Sequence, residues 1–389
     1  MDQTNNQGAP VAPVSPEPSV AQPAANVPQA KNKKPLIIAI IVAVILVIGI
    51  LLFLIFGAKI FSGGSEGGNG GNSNGGGGNV DVVGSNIVQI DVDSYNVLML
   101  DKNGDLYLFG KIAYAMESTE QPLKIASNVK SFDNTGHLSI IDKDGKASYV
   151  GGLNIDGLGT TKEFSSIMDN VKAVSSNTFC FYIIDGDNNY IVRAPLKNEN
   201  VMKYCALPEG QDGNFSKIAN GAKAIFSGSF SNGYVDNNND LYISGVDATG
   251  YQKVLSGIKK IVDGAVLTDD GSLYIISVSG EEVSAKKLVD GVADIYGRTA
   301  TGNVTYKSND GKFYYVYADI ADADPGKKDL YIYQIPYDDI KTLIYYFNDT
   351  KIAYISTNGK IVLNGEGATK QELELDTSSM KAIYEFFKL

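Results

Sequence analysis

The chain alternates short apolar runs with polar turns of one recurring form. The clearest copy is LMLDKNGDLYLFG, Leu98–Gly110, in which an acidic, glycine-bearing pentapeptide separates two apolar runs. A fixed spacing of this kind indicates a repeat architecture, so the repeat has to be established before any single motif is interpreted. Six further copies begin at Ile141, Ile184, Val235, Leu267, Lys307 and Ile355, which makes seven in all.

Three positions of this repeat predict a β-hairpin. One position holds only Gly or Asn, the residues that best tolerate a positive φ: Gly104, Gly145, Asn188, Asn239, Gly271, Gly311 and Gly359. Three residues earlier stands a short side chain whose oxygen can bond turn amides: Asp101, Asp142, Asp185, Asp236, Thr268, Ser308 or Ser356. Two residues after the Gly or Asn the position is always apolar: Leu106, Ala147, Tyr190, Leu241, Leu273, Phe313 or Ile361. We therefore predict a type I turn with a left-handed residue between strands that share a buried face.

The same acidic positions could be read as a calcium loop. A helix–loop–helix calcium site needs oxygen ligands at loop positions 1, 3 and 5, Gly at position 6 and Glu at position 12. Asp236, Asn238 and Asp240 supply the first three, but Leu241 stands where Gly is required. The flanking segments are also predicted strands in every copy. The pentapeptide is therefore interpreted as a turn, and no metal ligand is assigned.

A second apolar pattern precedes each hairpin and predicts a further strand. It occurs eight times, beginning at Asn86, Asn128, Asn170, Gly221, Gly257, Gly291, Asp339 and Ser379. The last copy, SMKAIYEFF, has no hairpin of its own. Because Met380, Ala382 and Tyr384 alternate, we expect it to be a strand that pairs with the unit around Asn86–Gly110 and closes a ring.

Seven units over about 310 residues average roughly 44 residues each, the length of a four-stranded propeller blade. The predicted fold is thus all-β, a seven-bladed β-propeller over residues 80–389. A linear β-solenoid would also repeat, but its units are usually shorter and more regular.

The repeat resembles that of the regulator of chromosome condensation family. The best copy is Ile141–Gly159, in which Asn154, Gly157, Leu158 and Gly159 match the family's characteristic ending without its Gln; a fainter copy is Ser244–Gly250. The frequent Trp before the blade glycine is missing, and Phe109 and Val150 stand there. Over roughly residues 86–389 the resemblance implies a seven-bladed propeller that acts as a binding platform, and it carries over no functional residue. A propeller of another repeat family remains an alternative.

The N-terminal part of the chain predicts a membrane anchor. Leu36–Gly57 comprises 22 residues without charge, and its helix would span roughly 33 Å, enough for a hydrocarbon core of about 30 Å. We predict a disordered tail over 1–35, which holds seven of the twelve prolines, a transmembrane helix over 36–58 and a Gly/Asn/Ser-rich linker over 59–79. The alternative is a cleaved signal peptide, whose apolar region is usually shorter and nearer the N-terminus.

Charges beside this segment predict its orientation. Lys31, Lys33 and Lys34 precede it, and only Lys59 follows closely. Because positive residues stay on the cytoplasmic side, we expect a single-pass protein of the cell membrane with its N-terminus in the cytoplasm and its C-terminal domain outside.

Composition narrows the chemistry of that domain. Four of the 33 basic and two of the 44 acidic residues precede residue 62, so 29 basic and 42 acidic side chains remain, a net charge of −13. An acidic surface repels phosphate backbones, so no nucleic-acid partner is expected. There is no Trp, and His137, the single histidine, is interpreted as a strand residue. Cys180 and Cys205 are either a disulfide or two free thiols, and the sequence does not decide between them.

These observations assign no catalytic, cofactor-binding or metal-binding residue, and the ligand-binding residues stay unknown. The predicted function is a non-catalytic binding platform for a protein or a glycan. Two alternatives remain: an envelope hydrolase that uses carboxylates on a propeller face, and a sensor or structural component of the envelope. The 23 tyrosines are expected mainly on strand faces, with some on a ligand surface.

Overall fold

The computed structural model forms seven antiparallel sheets of consecutive strands, six with four strands and one with five. It describes residues 78–79, 85–92, 95–112, 116–151, 163–177, 179–194, 205, 207, 214–227, 231–245, 250–262, 264–279, 282–298, 304–316, 332–347 and 351–387. The predicted seven-bladed β-propeller is confirmed. The predicted tail, the predicted membrane helix Leu36–Gly57 and the predicted linker over 59–79, apart from Gly78 and Asn79, lie outside the described residues. Within the described part of the chain, no helix has the length and apolar character needed to cross a bilayer.

Each blade uses four strands that follow one another in the chain. Blade 1 has β2 Ile87–Val92, β3 Asn96–Asp101, β4 Leu106–Ile112 and β5 Met116–Ala126, and β1 Gly78–Asn79 pairs with the other edge of β2. Blade 2 has β6 Val129–Asp133, β7 Leu138–Asp142, β8 Ala147–Val150 and β9 Ser165–Met168. Blade 3 has β10 Val171–Ser176, β11 Phe181–Asp185, β12 Asn189–Arg193 and β13 Ser216–Asn220.

The remaining four blades follow the same order. Blade 4 has β14 Ala222–Ser227, β15 Ser231–Asp236, β16 Leu241–Gly245 and β17 Gln252–Leu255. Blade 5 has β18 Ile258–Val262, β19 Ala265–Thr268, β20 Leu273–Ser279 and β21 Glu282–Val289. Blade 6 has β22 Val292–Arg298, β23 Val304–Ser308, β24 Phe313–Val316 and β25 Ile332–Gln334. Blade 7 has β26 Ile340–Phe347, β27 Lys351–Ser356, β28 Ile361–Gly365 and β29 Gln371–Leu373, followed by a 3₁₀ turn, Thr377–Ser379, and helix α1, Met380–Phe387.

The first strand of each blade lies nearest the centre of the ring. First strands of neighbouring blades contact one another, as β10 does with β14 and β2 with β26. Fourth strands are the most exposed, and every residue of β25 is exposed. We therefore call the four strands of a blade, in chain order, the inner, second, third and outer strand.

The ring has two unlike faces. The hairpin face carries the tight turns between second and third strands, together with the linkers from each outer strand to the next inner strand. The loop face carries the connections from inner to second strands and from third to outer strands. Connections from third to outer strands range from residues 280–281 in blade 5 to residues 194–215 in blade 3.

The predicted hairpins are confirmed in all seven blades. Every predicted left-handed residue has a positive φ, from 63° at Asn188 to 91° at Gly104. The apolar residue two positions later is buried in each copy, from 0% exposed at Leu106 to 3% at Phe313.

The left-handed residue also joins one blade to the next. In five blades its carbonyl oxygen accepts a hydrogen bond from the first amide of the following inner strand. Five such bonds link consecutive blades: Val129 N to Gly104 O at 2.9 Å, Val171 N to Gly145 O at 2.7 Å, and Ala222 N to Asn188 O, Ile258 N to Asn239 O and Val292 N to Gly271 O at 2.9 Å each.

The prediction that Ser379–Phe387 is a closing strand is wrong. Ser379 is the last residue of the 3₁₀ turn, and Met380–Phe387 form helix α1. The expected neighbour is nevertheless correct. Met380, Ile383 and Phe387 share one apolar cluster with residues of blade 1, such as Val97 and Phe109, and with residues of blade 7. The ring is closed by a helix that bridges the two end blades.

Local sequence explains why the eighth copy becomes a helix. The buried residues Met380, Ile383 and Phe387 follow the helical spacing i, i+3, i+7. Asp376 caps the preceding turn by accepting a hydrogen bond from Ser378 N at 2.8 Å. Five inner strands are instead preceded by a residue with positive φ: Asn128, Asn170, Gly221, Gly257 and Gly291. Ser379 occupies that position in the eighth copy.

Candidate binding surfaces

The hairpin turns satisfy their own backbone amides in two different ways. In blades 1 to 4 one Asp oxygen accepts two amide hydrogen bonds. Asp101 Oδ1, for example, accepts from Asn103 N at 3.0 Å and Asp105 N at 2.8 Å. Asp142, Asp185 and Asp236 make the equivalent pairs of bonds.

In blades 5 to 7 the amide acceptor stands two residues later than predicted. Thr268 Oγ1 donates to Ser272 O at 2.9 Å, and Asp270 Oδ1 accepts from Ser272 N at 3.0 Å. Ser308 with Asp310, and Ser356 with Asn358, repeat this arrangement. Hydrogen bonds from Thr268 and from Ser272 lower the pKa of the Asp270 carboxyl. The turn interpretation is thus supported in all seven copies.

Histidine 137 lies at the junction of blades 2 and 3. It is 7% exposed, and its ring centroid lies 5.8 Å from that of Tyr149 and 5.3 Å from that of Phe181. Its backbone amide donates to Ser176 Oγ at 2.9 Å. The residue is buried as expected, but it lies in a bend immediately before β7 and not within a strand as predicted. Among the residues that the structure describes, no group of three or more His, Cys, Asp or Glu side chains could hold a metal ion.

The two cysteines form a disulfide, which the sequence left undecided. Cys180 immediately precedes β11, and Cys205 lies in the connection from β12 to β13 on the loop face. Both residues are 0% exposed. The bond therefore fixes the middle of the longest connection of the ring to the second strand of the same blade.

A buried polar cluster packs beside this disulfide and joins blade 3 to blade 4. Asn232 Oδ1 accepts hydrogen bonds from Tyr190 Oη at 2.9 Å and from Tyr251 Oη. Asn232 Nδ2 donates to Cys205 O at 3.4 Å. Tyr182 Oη accepts from Asn177 Nδ2 at 2.6 Å. The cluster holds the disulfide-bonded connection against the neighbouring blade.

Burial sets the protonation of these tyrosines. Loss of solvent contact raises the pKa of Tyr182 and of Tyr190 well above the ordinary value, and it raises the pKa of Tyr251 as well. They are therefore neutral donors at physiological pH. Other tyrosines stack across strands, as Tyr306 does with Tyr314 at 5.5 Å, and burial raises the pKa of Tyr306 to about 12. The expectation that tyrosines occupy strand faces agrees with these positions.

Two buried carboxylates lie near the loop-face ends of inner strands. Asp91 Oδ2 accepts from Asn134 Nδ2 of blade 2 at 3.0 Å. Asp133 Oδ2 accepts from Thr135 Oγ1 at 3.0 Å and from Ser175 Oγ of blade 3 at 3.3 Å. These carboxylates join adjacent inner strands.

Comparison with known proteins shows similarity of fold. No family model matches the chain, and no curated protein sequence matches it. Similar solved structures include yeast RCC1 (Prp20) bound to Kap60, with 12% identity, 77% of this chain and 83% of that chain covered, and a TM-score of 0.48. Prp20p from Saccharomyces cerevisiae, whose binding to Gsp1p and histones was characterised, has 12% identity, 77% and 85% coverage and a TM-score of 0.49.

A bacterial surface protein is also similar. PorZ, an essential surface component of the type-IX secretion system of Porphyromonas gingivalis, has 13% identity, 73% of this chain and 37% of that chain covered, and a TM-score of 0.42. The family resemblance seen in the repeat is thus accompanied by likeness to solved RCC1 structures. At these identities no residue role is transferred, and the propeller assignment rests on the sheet topology described above.

Proposed function

We propose that this protein is a membrane-anchored, extracytoplasmic β-propeller that binds a protein or a glycan without catalysis. The observation that carries the proposal is the buried disulfide between Cys180 and Cys205. The disulfide indicates the compartment in which the domain lies, and it fixes a long connection on the loop face, which we propose as the binding face.

The disulfide supports an extracytoplasmic location. Disulfides persist in oxidising compartments and are rare in the cytosol, where thiols are kept reduced. An extracytoplasmic location also agrees with the orientation predicted from the lysine asymmetry around Leu36–Gly57, by which the residues after Lys59 lie outside the cell. Two independent features of the chain, the lysine asymmetry and the disulfide, therefore favour the same side of the membrane.

The loop face is the proposed binding face. Its connections differ in length from blade to blade, whereas the seven turns of the hairpin face share one length and one residue with positive φ at the same position. Binding residues concentrate on loops that a rigid scaffold positions. Described residues on this face include Lys111 and Glu282, both exposed, and Tyr95, over whose ring Lys111 Nζ lies at 5.0 Å.

Protease accessibility tests the location. Protease added to intact spheroplasts is expected to remove the domain after Lys59 and to leave a fragment of roughly the first sixty residues. Detergent-opened cells serve as the control, because there both sides are accessible. Protection of the propeller in sealed cells would contradict the orientation.

Site-specific crosslinking tests the binding face. A photoreactive amino acid placed at Lys111 or Glu282 on the loop face should crosslink one discrete partner on intact cells. The matched control positions are Asn103 and Asp144, which are exposed on the hairpin face. Crosslinks of the same partner from the control positions alone would reject the loop face as the binding surface.

A further inference from the structure

The inner strand has a β-bulge at the same position in all seven blades. The pairing with the second strand skips one residue, the second of each inner strand: Val88, Lys130, Lys172, Lys223, Lys259, Ala293 and Lys341. Inner strands begin at the hairpin face, so these residues lie around the centre of that face. Bulges redirect a side chain and recur beside binding sites.

Five of the seven bulged residues are lysines, and four belong to consecutive blades. Lys130, Lys172 and Lys259 are exposed, and Lys223 is partly exposed. We call these four residues of blades 2 to 5 the lysine arc. Such a concentration of positive charge is unexpected in a domain with 42 acidic side chains against 29 basic ones.

No carboxylate of the described chain neutralises the lysine arc. Lys172 Nζ donates to Asn188 Oδ1 at 2.7 Å and Lys259 Nζ to Ala293 O at 3.1 Å, and both acceptors are uncharged. Lysines on the outer strands behave differently. Lys124 pairs with Asp105 at 2.9 Å and Lys253 with Asp240 at 2.6 Å. Clustered like charges without an acidic partner in the protein favour binding of an external anion.

Acidic groups surround the arc at larger radius. The hairpin turns lie between second and third strands, outside the inner strands, and they carry Asp142, Asp185 and Asp236. These carboxylates accept hydrogen bonds from their own turn amides, which holds them at the turns. Lys172 reaches one of these turns, because its Nζ donates to Asn188 Oδ1. The turn of blade 2 also carries Lys143 and Lys146, so the carboxylates do not form a continuous acidic ring. We expect a long polyanion to meet the carboxylates of these turns, whereas a small anion can bind between the lysines of neighbouring blades.

From this geometry we propose that the lysine arc binds a small, multiply charged anion of the phosphate class. An ammonium group is a compact charge with three rotatable donors, so several lysines can meet phosphate oxygens without fixed planar geometry. Arginine, which favours bidentate recognition, occurs at none of the seven positions. In blade 1 the equivalent residue is Val88, which carries no charge. There β1 pairs with the adjacent residues Gln89 and Ile90 on the edge of β2 that faces the centre of the ring, so the lysines are interrupted where β1 lies. This proposal concerns the hairpin face and stands independently of the partner proposed for the loop face.

Calorimetric titration of the full-length protein in detergent with inorganic tripolyphosphate tests the proposal. We expect saturable binding that weakens as salt concentration rises. The variant Lys130→Gln/Lys172→Gln/Lys223→Gln/Lys259→Gln should lose at least tenfold in affinity. The matched control is Lys124→Gln/Lys217→Gln/Lys253→Gln/Lys286→Gln, which removes the same charge from outer strands and should bind like the wild type.

The two quadruple variants distinguish a specific site from a general effect of net charge. Equal loss in both quadruple variants would show that only net charge matters and would overturn the site. Absence of saturable tripolyphosphate binding by the wild type would also overturn it. Circular dichroism melting of both quadruple variants checks that they fold. If the quadruple variant of the lysine arc does not fold, the single variant Lys223→Gln replaces it, with an expected loss in affinity of at least twofold. Stronger binding of a glutamate-rich peptide or of duplex DNA than of tripolyphosphate would contradict the assigned ligand class.

Discussion

Two junctions between blades are held together by different means. At an ordinary junction, such as that between blades 2 and 3, the chain continues from one blade to the next and Gly145 O accepts from Val171 N at 2.7 Å. At the closing junction, between blades 7 and 1, the amide of Ile87 instead donates to Ser85 Oγ of its own blade at 3.0 Å. Helix α1 bridges these two blades through an apolar cluster, and Lys351 Nζ donates to Phe386 O at 2.7 Å.

The difference shows how a ring can be closed without a shared blade. All seven blades consist of consecutive strands, so no strand from the C-terminus completes blade 1. Closure depends on apolar burial, to which the eight-residue helix α1 contributes together with the direct contact between β2 and β26. The closing junction should therefore respond most strongly to loss of apolar contacts, and ordinary junctions to changes in turn geometry or hydrogen bonding.

The largest expected effect is deletion of residues 376–389. This removes α1 and exposes the apolar faces of blades 1 and 7, so the thermal midpoint should fall sharply and the protein should aggregate. A synthetic peptide of residues 376–389 should partly restore the midpoint in a scanning fluorimetry assay.

The same peptide with Met380→Lys serves as its control, since a charged side chain cannot enter the cluster. A truncated protein that remains monomeric and melts like the full chain would show that α1 does not close the ring.

A single large-to-small substitution within α1 gives the next effect. Met380→Ala should lower the free energy of unfolding by about 2–5 kcal/mol, because Met380 is 0% exposed and its cavity cannot be filled by solvent. Lys381→Ala is the matched variant on the exposed side of the helix, where the ion pair with Glu385 at 3.8 Å contributes little. Denaturant titration compares the two, and equal losses would mean that α1 is not anchored through Met380.

An ordinary junction is tested at Gly104. Its φ is +91°, and a Cβ atom there would lie 2.8 Å from Val129 O of the next blade. Gly104→Val should therefore cost about 1–3 kcal/mol of unfolding free energy. Gly311→Val is the matched change, because Gly311 has a similar φ of +86° but no atom within 4 Å of the added Cβ.

The difference between the two variants measures the contact with the next blade apart from backbone strain. If Gly104→Val were neutral, the assigned hairpin register would be wrong. If the two variants lost equal stability, the steric contact with blade 2 would contribute nothing.

The hairpins could be predicted because their chemistry is local. A Gly or Asn at positive φ, an Asp three residues earlier and an apolar residue two later all lie within one turn, as at Gly104. The outer strands also carry a local signal that the prediction did not use. In five blades an aliphatic residue stands three positions before the positive-φ residue that precedes the next inner strand: Ile125, Ile167, Ile218, Val254 and Leu288.

The remaining features depend on contacts that spacing alone does not reveal. SMKAI resembles NVKAV of blade 3, but the position equivalent to Asn170 is Ser379, and the surrounding blades accept a helix there. The Cys180–Cys205 bond requires the connection from β12 to β13 to return to its own blade. The hydrogen bond from Tyr190 to Asn232 spans 42 residues. The lysines of NVKSF and its counterparts were visible in the sequence, but only the bulge at each shows that they share one face.

The smallest effect is expected from the polar contact between blades 3 and 4. Tyr190→Phe removes the bond from Tyr190 Oη to Asn232 Oδ1 and should lower the free energy of unfolding by about 1 kcal/mol near neutral pH.

The same substitution should also change how stability responds to alkaline pH. Burial raises the pKa of Tyr190 in the folded state, so the folded protein favours the neutral phenol. Its stabilising contribution is complete below the unfolded pKa of about 10 and is lost as the pH rises through the folded pKa. Stability measured by urea titration from pH 9 to 11 should thus fall less steeply for Tyr190→Phe than for the wild type. Tyr182 and Tyr251 remain, so some of the decline should persist. Tyr333→Phe, at a ring that is 44% exposed, should follow the wild-type curve. Parallel curves for Tyr190→Phe and the wild type would mean that the pKa of Tyr190 does not differ between the folded and unfolded states, and so would contradict its burial at the junction of blades 3 and 4.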